Sequence, residues 1–151
     1  MRSTPQGRTA YVHGDVNDPG ALLAAPALAD VLDLDRPVAL SLNALLHFVT
    51  DAQDPYGIVG RLLDALPSGS ALALSHCTPD FDPVTWQKVT DIYTGAGTPV
   101  RFRSQQDVTR FFDGLDLLDP GVTVGHRWRP DGAVEATDAT VSLWTGVGIK
   151  P

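Results

Sequence analysis

Cysteine, basic residues and long apolar runs are all scarce in this sequence, and each scarcity argues against a class of protein. Cys77 is the one cysteine among 151 residues, so neither an intrachain disulfide nor a multi-cysteine metal site can form. The 11 Lys and Arg residues against 18 Asp and Glu give a net charge of −7, which argues against nucleic acid as a partner. No apolar run reaches the roughly 18 to 20 residues of a membrane span, and the amino terminus lacks the apolar core of a signal peptide. We therefore expect a cytoplasmic protein.

The composition is that of one folded domain spanning residues 1–151. Hydrophobic residues make up 43% and charged residues 19%, a balance typical of a chain that buries a core. The central feature is RPVALSLNALLHFVTD at residues 36–51, where an apolar run stops at a small group of polar and aromatic residues. The run over 38–42 predicts a strand buried on both faces of a parallel sheet.

Strand and helix signals alternate along the rest of the chain. Asp-Pro pairs at 18–19, 54–55 and 82–83 predict helix starts, because Asp accepts bonds from the first turn and Pro fits its first position. Strands are predicted at 9–12, 38–42, 71–75, 121–126 and 139–149, and helices at 18–32, 54–66, 81–97 and 104–112. The last two strands would form a hairpin around residues 130–132. This order predicts an α/β fold with a mostly parallel sheet and an antiparallel carboxy-terminal hairpin.

Polar residues follow three of the predicted strands. In an open α/β sheet, ligands bind beyond the carboxyl ends of the strands. The first three strands would place Asp15, residues 43–48 and residues 76–80 at that edge. No combination of His, Asp and Glu has the spacing of a metal site, so we expect no bound metal.

Four stretches resemble consecutive blocks of a known family. They are GRTAYVHGDVNDP, LDLDRPVALSLNALLHFVTDAQDPYGIVGRLLDALPSGSALALSH, RSQQDVTRFFDGLDLLDPGV and HRWRPDG, which together span nearly all of the chain. They are similar to the actinobacterial S-adenosylmethionine-dependent methyltransferase-like family, whose members have a Rossmann-type class I methyltransferase fold. The resemblance implies S-adenosylmethionine as cofactor and a small molecule as substrate, as in secondary metabolism.

The resemblance covers only the later part of that fold. Family members begin with helices, then have a first strand that ends in a glycine-rich turn for the methionine end of the cofactor and a second strand whose acidic end holds the ribose. This sequence starts just before the third strand of that fold. We therefore expect a truncated Rossmann-like sheet in which two strand edges would lose their partners. Either the strand at 9–12 pairs directly with 38–42, or a homodimer or a partner chain completes the sheet.

The resemblance also assigns cofactor-binding positions. Asp15 matches the acidic residue that binds the adenine amino group, with Val16 beside the ring. Asn43 and Ala44 match the segment that lines the methionine part of the cofactor. Judged from the residues alone, Asp15 and Asn43 are equally typical of side chains that cap a turn or a helix.

His47 is the candidate catalytic residue. An imidazole titrates near neutral pH and can accept the proton that leaves when an oxygen or nitrogen is methylated. A satisfied core position is the alternative for a lone histidine. Phe48 and Tyr56 are candidates for walls of a substrate pocket, although a core role is open for Phe48. His76 and Thr78 are candidates for groups that face the substrate, or for parts of a loop that caps the next helix.

Three functions are compatible with these features. The first is an S-adenosylmethionine-dependent methyltransferase, or one part of it. The second is an enzyme derived from a methyltransferase that carries out a cofactor-independent cyclisation or isomerisation of a natural-product intermediate. The third is a non-catalytic binding or dimerisation module. Family resemblance favours the first, whereas the missing glycine-rich turn favours the other two.

Overall fold

The computed structural model describes residues 9–151, which form a mixed sheet with helices and 3-10 turns between its strands. The strands are β1 (Ala39–Asn43), β2 (Ala71–Cys77), β3 (Asp116–Leu117), β4 (Thr123–Val124) and β5 (Leu143–Ile149). The helices are α1 (Pro19–Leu23), α2 (Pro26–Ala29), α3 (Pro55–Asp64), α4 (Pro83–Gly95), α5 (Gln105–Thr109) and α6 (Asp138–Val141). Single 3-10 turns lie at Leu46–Phe48, Asp51–Gln53, Arg110–Phe112 and Gly125–Arg127.

The Asp-Pro pairs begin helices, as the sequence predicts. Asp18, Asp54 and Asp82 accept hydrogen bonds from the first turns of α1, α3 and α4 at 3.0, 3.0 and 3.1 Å. Each is followed by a proline at the first helical position. The predicted helix at 18–32 is instead two short helices, because Pro26 has no N–H to continue α1 and starts α2.

The sheet has the order β1-β2-β5-β3, and β4 also pairs with β5. β1 and β2 are parallel, in register from Ala39 opposite Ala71 to Asn43 opposite Ser75. β5 runs antiparallel to β2, β3 and β4. The α/β class is confirmed, but the described strands are more antiparallel than predicted, because β5 returns along β2 in the opposite direction.

Three predicted strands differ from the structure. Residues 9–12 form no strand, so the predicted pairing with 38–42 is not observed, because β-prone residues need a partner strand to become one. The strand predicted at 121–126 shortens to Thr123–Val124. The strand predicted at 139–149 begins only at Leu143, because the Thr137 side chain caps helix α6 just before it. A long segment, rather than a tight turn at 130–132, joins the last two strands.

The core lies on one face of the sheet. Apolar side chains of β1, β2, α3 and the segment around α5 form one cluster, which includes Leu42, Leu72, Leu74, Ile58, Val108 and Phe112. Glycine is required in β5 because a Cβ at Gly146 would lie 3.0 Å from the Phe112 ring, so Phe112 can pack directly on the strand. Within residues 9–151, no helix is both long and apolar enough to cross a membrane.

Helix α4 is the longest helix described, yet none of its 13 residues is buried. Val84 and Ile92 are 68% and 71% exposed. Its aromatic contacts are Trp86 against Phe102, with ring centroids 4.6 Å apart, and Tyr93 against Phe48, with centroids 5.6 Å apart. The helix therefore lies over the loops rather than over the core.

Candidate functional site

Three strands have a terminus at the same edge of the sheet. β1 and β2 end there because they are parallel, and β5 begins there because Leu143 pairs with Cys77. The Thr78 N–H donates to the Ser142 carbonyl at 3.0 Å and joins the loops after β2 and before β5. Polar groups beyond the carboxyl ends of parallel strands are the expected position of a ligand in an α/β sheet.

The chain turns sharply after β1. Ala44 has a φ of 48°, and its N–H donates to the carbonyl and the hydroxyl of Ser75, both at 3.0 Å. Asn43 is exposed, and its Nδ2 donates to the Ser41 hydroxyl at 2.8 Å. Both residues that were predicted to line the cofactor thus lie at the edge of the sheet. Ala44 is hydrogen-bonded to β2, and Asn43 is hydrogen-bonded to β1.

His47 lies in the 3-10 turn that follows and is only 6% exposed. Its ring packs against Phe48, Phe102 and His76, with centroid distances of 4.3, 5.7 and 5.7 Å. Burial, and then the positive charge of Arg103, lower the pKa of His47, so the neutral imidazole is favoured. Nδ1 of His47 is buried and has no hydrogen-bond partner among residues 9–151. A buried unpaired nitrogen is unusual and calls for a functional or structural explanation.

Arg103 holds the loop that carries His47. Its side chain is fully buried and donates to the carbonyls of Leu46 and Val49, both at 3.0 Å. Its NH2 group also forms a 2.7 Å ion pair with Asp51. Arg103 could not be predicted from the sequence, because nothing in the local pattern FRSQQD shows that its charge is buried, and its partner Asp51 lies 52 residues earlier in the chain.

His76 is the second histidine of the site and has no exposed surface. Its Nδ1 lies 2.8 Å from the Cys77 carbonyl and its Nε2 lies 3.1 Å from NH1 of Arg103. These partners assign the neutral tautomer with its proton on Nδ1, since a carbonyl only accepts and a guanidinium only donates. Burial, with Arg103 as a further cause, lowers the pKa of His76 to about 4.

The turn that contains Asp15 approaches the same loops. Asp15 is exposed, and its Oδ1 accepts from the backbone and side-chain nitrogens of Asn17 at 2.9 and 2.8 Å. Asn17 in turn accepts from Gln53 at 3.0 Å, which links the turn to the loop after β1. Val16 packs against the core. The structure therefore shows the turn-capping role of Asp15 and leaves its cofactor role as a prediction.

A cavity of about 300 Å³ opens beside Arg103. Tyr56 lines it, and its hydroxyl donates to the Asp107 carbonyl at 3.1 Å while the Arg110 guanidinium lies 4.2 Å from its ring centroid. Charged side chains of both signs line the cavity, namely Asp51, Asp54, Asp107, Arg101, Arg103 and Arg110. This lining suits a small polar molecule.

The other two predicted substrate residues are placed differently. Phe48 is 37% exposed and covers the His47 ring. Thr78 is fully buried, and its hydroxyl accepts from the Asp80 N–H at 3.2 Å, as expected of a residue that caps a loop. Contact of His76 or Thr78 with a substrate stays a prediction. In the part of the chain that the structure describes, no group of three or more His, Cys, Asp or Glu could hold a metal ion.

This geometry defines an α/β domain whose polar groups meet where its parallel strands end. Comparison with protein families then identifies the chain, which belongs to the S-adenosyl methyltransferase family, whose model matches residues 1–151. Members of this family use S-adenosylmethionine. A search of curated proteins finds no match.

Solved structures agree with this family. A DUF574-family protein of Streptomyces avermitilis is 46% identical, with a TM-score of 0.95 over 99% of this chain and 58% of its own. A Thermobifida fusca protein, provisionally described as a methyltransferase, is 29% identical, with a TM-score of 0.80 over 91% of this chain and 52% of its own. An O-methyltransferase family protein from Burkholderia thailandensis, 12% identical with a TM-score of 0.57, covers 93% of this chain and 35% of its own and shows likeness of fold alone. The chain thus spans little more than half the length of the Streptomyces avermitilis and Thermobifida fusca proteins.

The described residues fit S-adenosylmethionine only in part. Asn43 and Ala44 lie at the edge of the sheet where the cofactor is expected, and the turn with Asp15 and Val16 is linked to the loop after β1 through Asn17 and Gln53. However, no glycine-rich turn follows a strand among residues 9–151, and Gly146 and Gly148 lie inside β5. The close backbone approach that such a turn allows is therefore not supplied by these residues.

Arg103 should be essential for stability. Arg103→Ala would leave the Val49 carbonyl and Nε2 of His76 buried without their donor, and would remove one of two partners from the Leu46 carbonyl and from Asp51. We therefore expect a loss of roughly 2 to 5 kcal/mol in the free energy of unfolding. Urea denaturation followed by circular dichroism measures this loss.

Arg101→Ala is the matched control. Arg101 pairs with the same carboxylate at 2.9 Å but is 53% exposed. We expect this variant to lose less than about 1 kcal/mol. Equal losses in the two variants would show that burial of Arg103 does not matter.

Acidification should destabilise the protein through His76. Its pKa is about 4 in the folded chain and 6.5 in the reference state, so the unfolded chain binds more protons between these values. Stability should therefore fall by about 2 kcal/mol from pH 7 to pH 5 through this group. Urea unfolding of wild type and His76→Gln at both pH values tests this. The same pH slope in both proteins would contradict it.

Proposed function

We propose that this chain is the later part of an S-adenosylmethionine-dependent methyltransferase domain that acts on a small molecule of the natural-product type. The match of the family model to all 151 residues is the observation that carries the proposal. Asn43 and His47 follow one another after β1, and Arg103, which holds the loop that carries His47, lines the cavity; both observations support the proposal. Because the residues fit the cofactor only in part, activity requires the polypeptide that supplies the rest of the domain.

Four residues would contact the cofactor from this chain. Asp15 binds the adenine amino group with the carboxylate oxygen that does not bond Asn17, and Val16 lies beside the adenine ring. Asn43 and Ala44 line the methionine part from the turn after β1. Exposure of Asp15, Asn43 and Ala44 supports these contacts, because each can be reached from solvent.

His47 would act as the general base. When bound, S-adenosylmethionine supplies an electrophilic methyl group. Nδ1 of His47 accepts the proton that the oxygen or nitrogen of the acceptor loses, and its lowered pKa keeps that nitrogen unprotonated at neutral pH. Its lack of a partner among residues 9–151 supports this role. Phe48 covers the ring, so rotation of the Phe48 side chain would admit the acceptor.

The lining of the cavity indicates the class of acceptor. A volume of about 300 Å³ suits a small molecule, and the three arginines and three aspartates suit one with several polar groups. Tyr56 offers an aromatic face on the same wall. A net charge of −7 argues against nucleic acid as the acceptor.

Calorimetric titration with S-adenosylmethionine and S-adenosylhomocysteine tests the cofactor part of the proposal. We expect the 151-residue chain alone to bind neither at concentrations up to the millimolar range. A chimera that adds the uncovered part of the Streptomyces avermitilis chain should bind both with a Kd of about 1 to 100 μM. Asp15→Ala should weaken that binding at least about tenfold, a change of roughly 1.4 kcal/mol. No binding by the chimera, or unchanged affinity in Asp15→Ala, would contradict the proposal.

The role of His47 is tested in the same chimera. His47→Asn should lower kcat for methyl transfer by about 100-fold or more while leaving the Kd for S-adenosylmethionine unchanged. His13→Asn, at an exposed position, is the matched control and should leave both unchanged. An unchanged kcat in His47→Asn would remove His47 from the mechanism.

A further inference from the structure

The three aspartates that line the cavity beside Arg103 already have donors within the chain. Asp51 accepts from Arg101 at 2.9 Å and from Arg103 at 2.7 Å. Asp54 accepts at 3.0 Å from a backbone N–H in the first turn of α3. Asp107 accepts at 3.0 Å from the hydroxyl of the residue that caps α5. The negative charges of this wall are therefore partly satisfied by the protein itself.

The three arginines of the cavity differ in how fully their donors are used. Arg103 is buried, and both of its terminal nitrogens donate to backbone carbonyls, one of them also to Asp51. Arg101 is 53% exposed and donates to Asp51 through Nε. The carboxylate nearest to Arg110 in the described chain is that of Asp107, at 3.9 Å, which is beyond hydrogen-bond distance. Arg110 is thus the cation of this wall whose donors are least used.

Tyr56 holds Arg110 in place without neutralising its charge. The central carbon of the Arg110 guanidinium lies 4.2 Å from the Tyr56 ring centroid. The Tyr56 ring is itself fixed, because Phe111 stacks on it with centroids 4.5 Å apart and its hydroxyl donates to the Asp107 carbonyl at 3.1 Å. A guanidinium held over an aromatic ring keeps its N–H groups available at its edge, where two of them can donate to both oxygens of a carboxylate.

We propose that this cavity binds the carboxylate of a small aromatic acid, with Arg110 as its main partner and Arg101 as a second donor. Pro55 and the Tyr56 ring supply the apolar part of the wall. The volume of about 300 Å³ is at the lower end for small-molecule sites, which suits a single ring with few substituents. The inference rests on the proposed function only in identifying this acid with the methyl acceptor.

The aspartates argue against an anion with two charges. Asp51, Asp54 and Asp107 line the same space, and their repulsion of a ligand grows in proportion to its negative charge. Phosphate should therefore bind more weakly than a carboxylate with one charge. An uncharged amide should also bind more weakly, because hydrogen bonds from a guanidinium to an anion are the stronger ones. A hydroxyl on the ring of the acid can still donate to one of the aspartates, because a carboxylate accepts up to about four hydrogen bonds.

Calorimetric titration with benzoate tests the site, with benzamide as the uncharged probe of the same shape and inorganic phosphate as the more highly charged anion. All of the lining comes from residues 51–110, so we expect both the 151-residue chain and the chimera with the Streptomyces avermitilis sequence to bind benzoate. The expected Kd is roughly 0.1 to 1 mM. Benzamide and phosphate should each bind at least about tenfold more weakly.

Three results of this titration would overturn the proposal. They are equal affinities for benzoate and benzamide, tighter binding of phosphate than of benzoate, and no binding of benzoate by either protein at about 10 mM.

Arg110→Gln and Arg61→Gln are a matched pair of variants. The two arginines are 56% and 54% exposed, and the carboxylates nearest to them are 3.9 and 3.8 Å away, but only Arg110 lines the cavity. Arg110→Gln should raise the Kd for benzoate at least about tenfold, whereas Arg61→Gln should change it by less than about twofold. Equal effects of the two substitutions would overturn the assignment of Arg110.

Arg110→Lys tests the geometry of the contact. Lysine keeps the positive charge but lacks the planar pair of donors, so the Kd for benzoate should rise at least about threefold. An unchanged Kd in this variant would overturn the paired hydrogen bonds from Arg110 to the carboxylate.

The titration separates this proposal from the proposed function, because benzoate binding requires no cofactor. Binding of benzoate but not of S-adenosylmethionine by the chimera would support the acid site and contradict the proposed function. Binding of S-adenosylmethionine without binding of benzoate would overturn the acid site and leave the proposed function in place.

Discussion

The buried guanidinium of Arg103 is the interaction on which the rest of the site depends. It joins the loop after β1 to β2 through carbonyls of Leu46 and Val49 and through His76. A charge that has lost its water is stable only if its donors are satisfied, and here two carbonyls, a carboxylate and an imidazole satisfy them. Burial lowers the pKa of both His47 and His76, and the charge of Arg103 lowers it further. Arg103 therefore fixes the position of the site and helps to keep both histidines neutral.

Local signals predicted much of the fold. The Asp-Pro pairs begin α1, α3 and α4 because capping involves only neighbouring residues. The apolar runs at 38–42 and 71–75 likewise predicted the strands β1 and β2. Strand pairing, by contrast, depends on residues that are distant in the sequence. Residues 9–12 were therefore predicted as a strand from their composition, although the described chain has no strand there. The antiparallel pairing of the last two strands was predicted, but the position of β5 between β2 and β3 was not, because strand pairing depends on residues that are distant in the chain.

The gathering of the candidate residues at one edge of the sheet could be predicted, but not their burial. Asn43, His47 and His76 do gather at one edge, as expected from the ends of parallel strands. The sequence could not show that His76 and Thr78 have no exposed surface, because burial depends on Arg103 and on the segment before β5. Arg103 itself was missed because its partners are distant in the chain.

Helix α4 can unfold locally at a lower free energy than the sheet. It buries no residue and contacts its surroundings through Trp86 and Tyr93, so its hydrogen bonds can break without disturbing the sheet. Local unfolding of this helix would withdraw Tyr93 from Phe48 and leave Phe48 with fewer neighbours over the His47 ring. A loss of structure in this helix would therefore expose the aromatic cover of His47 while the sheet stays folded.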